Sequence, residues 1–71
     1  MLIIKTEDIK KVLSEIYTSL KKGKYDAEGQ IVGYLSSGDP GYVPTFEQAR
    51  SKIISLDREE VITILLKEFL K

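Results

Sequence analysis

Apolar residues recur at helical spacing in four separate stretches of this chain. In the first, Ile9, Val12, Leu13, Ile16, Tyr17 and Leu20 follow at three- and four-residue steps and so share one face. Thr6 is of the N-cap type, and Glu7 and Asp8 fall in the first turn, where acids oppose the helix dipole. Lys21 and Lys22 occupy the last turn, and Gly23 predicts the stop. A second helix opens at Asp26 and runs through Ile31, Val32, Tyr34 and Leu35 to Gly38. Gly29 and Gly33 lie inside it, each costing about 1 kcal/mol relative to Ala. That cost predicts close approach of another helix backbone, with a flexible or ligand-facing surface as the alternative. The Gly29–Gly33 spacing also occurs in membrane helices, but this segment is too short and polar to span a bilayer.

The third helix starts where Thr45 and Gln48 form the pattern of a capping box. Phe46, Ala49, Ile53 and Leu56 mark its inner side, with Ile54 as a flank. The fourth follows after a sharp junction at Ser55-Leu56-Asp57. Asp57 and Glu60 make an acidic capping box there, and Leu56 with Val61 fits the hydrophobic staple. Val61, Ile62, Ile64, Leu65, Leu66, Phe69 and Leu70 then wrap more than one stripe. A helix apolar on two sides buries two sides. One would face the home core and the other a second subunit, which makes Ile62, Leu65, Leu66 and Phe69 the candidate dimer interface. The expected fold is all-α: a compact bundle of about four short helices, homodimeric, with residues 1–71 forming one domain. Leu2-Ile3-Ile4 reads as a frayed, partly buried N-terminus rather than a strand. Internal repeats, low-complexity tracts and interdomain linkers are absent from the sequence.

The segment 30–44 asks for more than a plain bundle needs. Gly38 suits a left-handed helix end, and Pro40 fixes its own φ and pushes Asp39 out of the helical region. Tyr42 and Val43 put apolar surface into a loop, and Pro44 holds the next helix back to Thr45. A flexible linker uses Gly, Ser and charge. Two prolines and a buried-looking aromatic predict a rigid, packed corner instead. Ser37, Gly38, Asp39, Pro40, Tyr42 and Arg50 are therefore the residues singled out, either as a structural loop or as a partner contact. Asp39 either caps its own turn or meets a partner, with Arg50 as its companion.

Size sharpens the dimer expectation. A 71-residue core supplies roughly 3–5 kcal/mol of net stability. Without cysteine, neither a disulfide nor a zinc-thiolate site adds to that, which leaves oligomerisation. The N-terminal apolar run is too short for a signal peptide or a membrane span, so a cytoplasmic protein is expected. Net charge is zero, but residues 1–24 hold six lysines against three acids, a surplus of +3 that the remainder balances. Most simply, this is a solvated helix face.

Chemistry is constrained by what is missing. No histidine and no cysteine removes the commonest general base, the thiol nucleophile and most transition-metal sites. Glu7, Asp8, Asp57, Glu59 and Glu60 sit in first helical turns, where capping and the dipole account for them. No catalytic residue, metal ligand or cofactor site is predicted. Ser36-Ser37-Gly38-Asp39-Pro40-Gly41 lacks the phosphate-loop pattern and follows a helix where such a loop follows a strand. Arg50, Lys52 and Arg58 around helix three fit a small helical DNA-binding protein of the transcription-factor kind, which is the alternative function. A pI near 6.2 argues against nucleic acid as a partner.

The run Gln30-Ile31-Val32-Gly33-Tyr34-Leu35, with Ser37-Gly38-Asp39-Pro40, Tyr42-Val43-Pro44, Ala49-Arg50 and Leu56-Asp57-Arg58-Glu59-Glu60, resembles the IreB family. The likeness covers roughly residues 9–70. The family consists of small cytoplasmic proteins of low-GC Gram-positive bacteria. The resemblance implies an all-α homodimer without enzymatic activity. It also implies a regulatory role downstream of an envelope-sensing membrane Ser/Thr kinase, with an influence on resistance to cell-wall antibiotics. Family members are phosphorylated on threonines ahead of helix one, which makes Thr6 the phosphoacceptor candidate. The partners implied are a second copy, a Ser/Thr kinase and a regulated protein.

Overall fold

α1 covers Thr6–Lys22 and ends on a lysine rather than a glycine in the left-handed region. Lys24 takes φ 64°, while the Tyr25 N–H donates to Leu20 O at 2.9 Å and the Lys24 N–H to Lys21 O at 3.0 Å. Those two bonds form a Schellman ending around Lys24. Gly23, expected to provide the turn, instead provides room: a Cβ there would meet the Tyr25 ring at 2.7 Å. The computed structural model describes residues 6–71, and all regular elements among them are helical. The expectation for Leu2-Ile3-Ile4 lies outside the described residues. Thr6 is already helical, so it is not the residue ahead of the helix that an N-cap would be.

α2 covers Ala27–Ser37. Asp26 caps it as its residue type predicts, its carboxylate accepting from the Gly29 N–H at 3.1 Å. Gly38 ends it at φ 78°, its N–H donating to Tyr34 O at 2.7 Å. The expected helix approach at the internal glycines is not what the fold uses. Gly29 faces the Asp26 cap, and Gly33 faces the ring of Tyr42. The close neighbour at Gly33 is thus an aromatic from the corner.

α3 is six residues, Ala49–Ile54, and starts later than the capping-box pattern implied. Thr45 makes no side-chain cap bond, and Glu47 and Gln48 both take positive φ in a 3-10 turn, Phe46–Gln48. The chain enters α3 through strained residues, and the Arg50 N–H donates back to Pro44 O at 3.1 Å. Tertiary contact outranks local capping here. Phe46 packs on Tyr25 with ring centroids 5.8 Å apart, and Glu47 reaches Lys22 at 2.8 Å.

α4 covers Arg58–Phe69 and starts as its sequence predicts, with Asp57 accepting from the Glu60 N–H at 3.1 Å. Leu56 and Val61, the staple pair, are both in the core. That core joins Ile9, Ile16 and Leu20 of α1 to Ala27, Ile31 and Tyr34 of α2, Val43 of the corner and Ala49 and Ile53 of α3. α4 contributes only Val61 fully and Ile64 in part. Two side-chain ties reinforce it: Lys10 to Glu68 at 2.6 Å, and Arg58 Nη1 to Leu35 O at 3.1 Å. Among the described residues, no helix is long and apolar enough to cross a membrane.

Candidate functional site

The corner is built by side chains that satisfy its own backbone. Ser37 Oγ donates to Gly33 O at 2.7 Å and accepts from the Asp39 N–H at 3.0 Å. Asp39 is extended, as a residue before proline should be, and its carboxylate accepts from the Gly41 N–H at 2.9 Å. Asp39 thus caps its own turn, the first of the two roles its sequence allows. Arg50 does not join it: Arg50 Nε donates to Val43 O at 2.7 Å. Pro40–Tyr42 form a single 3-10 turn. Val43 is the residue that anchors the corner, being fully buried, whereas Tyr42 is 47% exposed and lies across Gly33. The corner is hydrogen-bonded within itself and anchored by Val43, but its aromatic is on the surface.

The three basic residues that suggested a DNA reader are all engaged elsewhere. Arg50 and Arg58 bond main-chain oxygens of Val43 and Leu35, and Lys52 lies 3.7 Å from Glu15. The Arg58 guanidinium also meets the negative end of the α2 dipole, where a cation is favourable.

α4 turns its other side outward. Ile62, Leu65, Leu66 and Phe69 are all exposed, Phe69 at 85%. Val32 of α2 is exposed beside them at 60%. Leu65 and Val32 share the lining of a groove of about 500 Å³ with Leu13, Ile31 and Tyr17. At its rim the Tyr17 hydroxyl donates to Glu28 at 2.7 Å. That bond raises the tyrosine pKa and lowers that of Glu28, with Lys21 adding a smaller downward pull on the carboxylate. Sequence periodicity put Tyr17 on the buried stripe of α1; its hydroxyl instead stays at the surface. The groove was not foreseen, since Val32 alone falls off the α2 core face and a single such residue is an ordinary surface feature.

Thr6 is exposed and lies on a second groove, of about 330 Å³, between the start of α1 and the length of α4 from Asp57 to Lys67. Asp57, Glu59, Glu60, Thr63 and Lys67 line it too. To the lysine-rich N-terminal third the groove therefore adds three acids and one lysine from α4 and its cap. Among the described residues, no group of acidic side chains could hold a metal ion.

A family model described as "IreB regulatory phosphoprotein" matches residues 3–71. The chain belongs to the IreB family. The match takes in both grooves, the corner and the whole of α4. Membership of the IreB family makes a regulatory role the coarse function of this chain. The description also makes phosphorylation a property of the family.

Proposed function

We propose that this chain is a non-enzymatic regulatory adaptor that acts as a homodimer through protein-protein contacts. It works in the cytoplasm downstream of a Ser/Thr kinase, in the response to cell-envelope stress or cell-wall antibiotics. The observation that carries the reading is the family match over nearly the whole chain. The outward side of α4 supports self-association: Ile62, Leu65, Leu66 and Phe69 are a contiguous apolar strip on a chain of 8.1 kDa. Thr6 is the proposed phosphoacceptor, being exposed and ahead of the core positions of α1. The corner residues Ser37, Gly38, Asp39 and Pro40 are spent on structure, while Tyr42 is the corner's exposed candidate for partner contact. Arg50 holds the corner to α3.

Incubation with the envelope-sensing kinase of the same cell, followed by mass spectrometry of the N-terminal peptide, tests the modification. Phosphate on Thr6 is expected. Modification confined to Thr18, Thr45 or Thr63 would remove Thr6 from the scheme. Sedimentation at micromolar concentration tests the assembly and should give about twice 8.1 kDa.

A further inference from the structure

The groove that holds Thr6 is a junction between two helices whose first turns are both acidic. From α4 and its cap it receives Asp57, Glu59 and Glu60, with Lys67 about two turns further along. In sequence, Thr6 stands between Lys5 and Glu7. Lys10 is the nearest α1 cation in sequence among the described residues, and it is bound to Glu68 at 2.6 Å. Arg58, also in the first turn of α4, points away to Leu35 O. In the groove itself three carboxylates, Asp57, Glu59 and Glu60, stand with Thr6 against one cation, Lys67.

α4 is the helix least secured by burial, with Val61 fully and Ile64 partly inside. A small loss of docking energy is enough to open such an element locally. We propose that phosphorylation of Thr6 loosens α4 from the rest of the molecule by like-charge repulsion. The phosphoryl group adds about −1.5 to −2 charge in place of a neutral hydroxyl. Asp57, Glu59 and Glu60 line the same groove, so a phosphate there is repelled by their charge. The phosphate also competes with Glu68 for Lys10 and so weakens a side-chain tie of α4. For α1 the sign is opposite, because a phosphate in its first turn meets free backbone donors and the positive end of the dipole. The modification therefore strengthens one helix and releases another. The released helix is the one that bears Ile62, Leu65, Leu66 and Phe69, so a charge at Thr6 changes what the apolar strip presents.

This inference rests on Thr6 as the phosphoacceptor, and its test avoids the kinase so that the two fail separately. The full chain is synthesised with phosphothreonine at position 6. Amide hydrogen exchange is compared with the unmodified chain at low salt, at a concentration where both sediment as the same species. The amides of Ile64, Leu65 and Leu66 should exchange about threefold faster or more in the phosphorylated chain. Those of Ile16 and Leu20 in α1 should be unchanged or slower. The same phosphate in a Glu59→Gln/Glu60→Gln variant should lose most of the acceleration, and so should the wild-type sequence at high salt. Unchanged α4 exchange, equal acceleration in every helix, or acceleration that persists in the double variant would each overturn the proposal. A kinase that ignores Thr6 would refute the phosphoacceptor reading and leave this measurement standing.

Discussion

The Arg58 guanidinium lies directly over Gly38, so close that a Cβ on the glycine would stand 2.8 Å from Arg58 Cζ. The same side chain donates to Leu35 O, one of the last carbonyls of α2. Gly38 is therefore constrained twice, by φ 78° and by a neighbour. Gly38→Ala should cost about 1–2 kcal/mol, and Gly38→Val more. Arg58→Met, which removes the carbonyl bond, should cost about 1 kcal/mol. Because one share of the Gly38 penalty is crowding by Arg58, Gly38→Ala should cost less in the Arg58→Met background than alone. Urea denaturation of the four proteins checks it. Full additivity would leave the backbone angle as the whole cause.

Gly33 and Tyr42 give a prediction whose sign changes. Gly→Ala inside a helix is favourable by about 1 kcal/mol on propensity. Here the new methyl would run into the Tyr42 ring, including Cγ at 2.8 Å, so the ring must leave its seat. Gly33→Ala should be neutral or destabilising in the natural sequence and stabilising by about 0.5–1 kcal/mol in a Tyr42→Ala background. Thermal melts of the single and double variants decide it; the same sign in both backgrounds would mean that Tyr42 does not press on Gly33.

Val43 should matter more to stability than its place in a loop implies. It is fully buried between α2 and α3, and truncation to Ala leaves a hole that backbone held by Pro40 and Pro44 cannot close. A loss of about 2 kcal/mol is expected for Val43→Ala. Tyr42→Ala, at an exposed site, should cost less. Chemical denaturation with unchanged m-values checks both.

Acid should release α4 early. Lys10, followed by Lys71, holds the Glu68 carboxyl below its ordinary value of 4.5. A depressed carboxyl pKa contributes stability that is present above the unfolded-state value and lost as pH falls through the folded one. The contribution is therefore intact at pH 7 and disappears below the ordinary carboxylate range. Exchange at α4 amides, normalised for intrinsic rate, should rise in that window before exchange at Ile16 or Leu20. Glu68→Gln should remove this part of the pH dependence. Both side chains are solvent-exposed, so high salt should shrink the effect as well.

The exposed strip on α4 yields a test of the proposed dimer. Leu66→Lys and Phe69→Lys alter residues that are 56% and 85% exposed in the single chain, so helical content should persist. Sedimentation should then report one chain instead of two. Variants that remain dimeric would move the interface to another surface.

Much of this protein is legible along the chain because local chemistry decides it. Helical periodicity, the Asp26 and Asp57 caps, the glycine stop at 38 and the Asx turn at Asp39 each depend on neighbours within a few residues, and each has the form its sequence predicts. Two-sided apolarity likewise marked α4 as the helix with a face to spare. Other features needed the whole fold. Thr45 and Gln48 carry a capping pattern that goes unused, because the Phe46–Tyr25 ring contact and the Lys22–Glu47 pair hold that turn in another conformation. Gly33 reads as a helix-contact glycine but meets an aromatic that arrives from nine residues further on. Thr6 belongs to a lysine-rich stretch in sequence and to an acidic groove in space, since α4 returns to the start of α1. Sequence encodes charge and pattern within reach of one helical turn; which charges share a groove is decided by chain return, and that depends on packing among residues far apart in number.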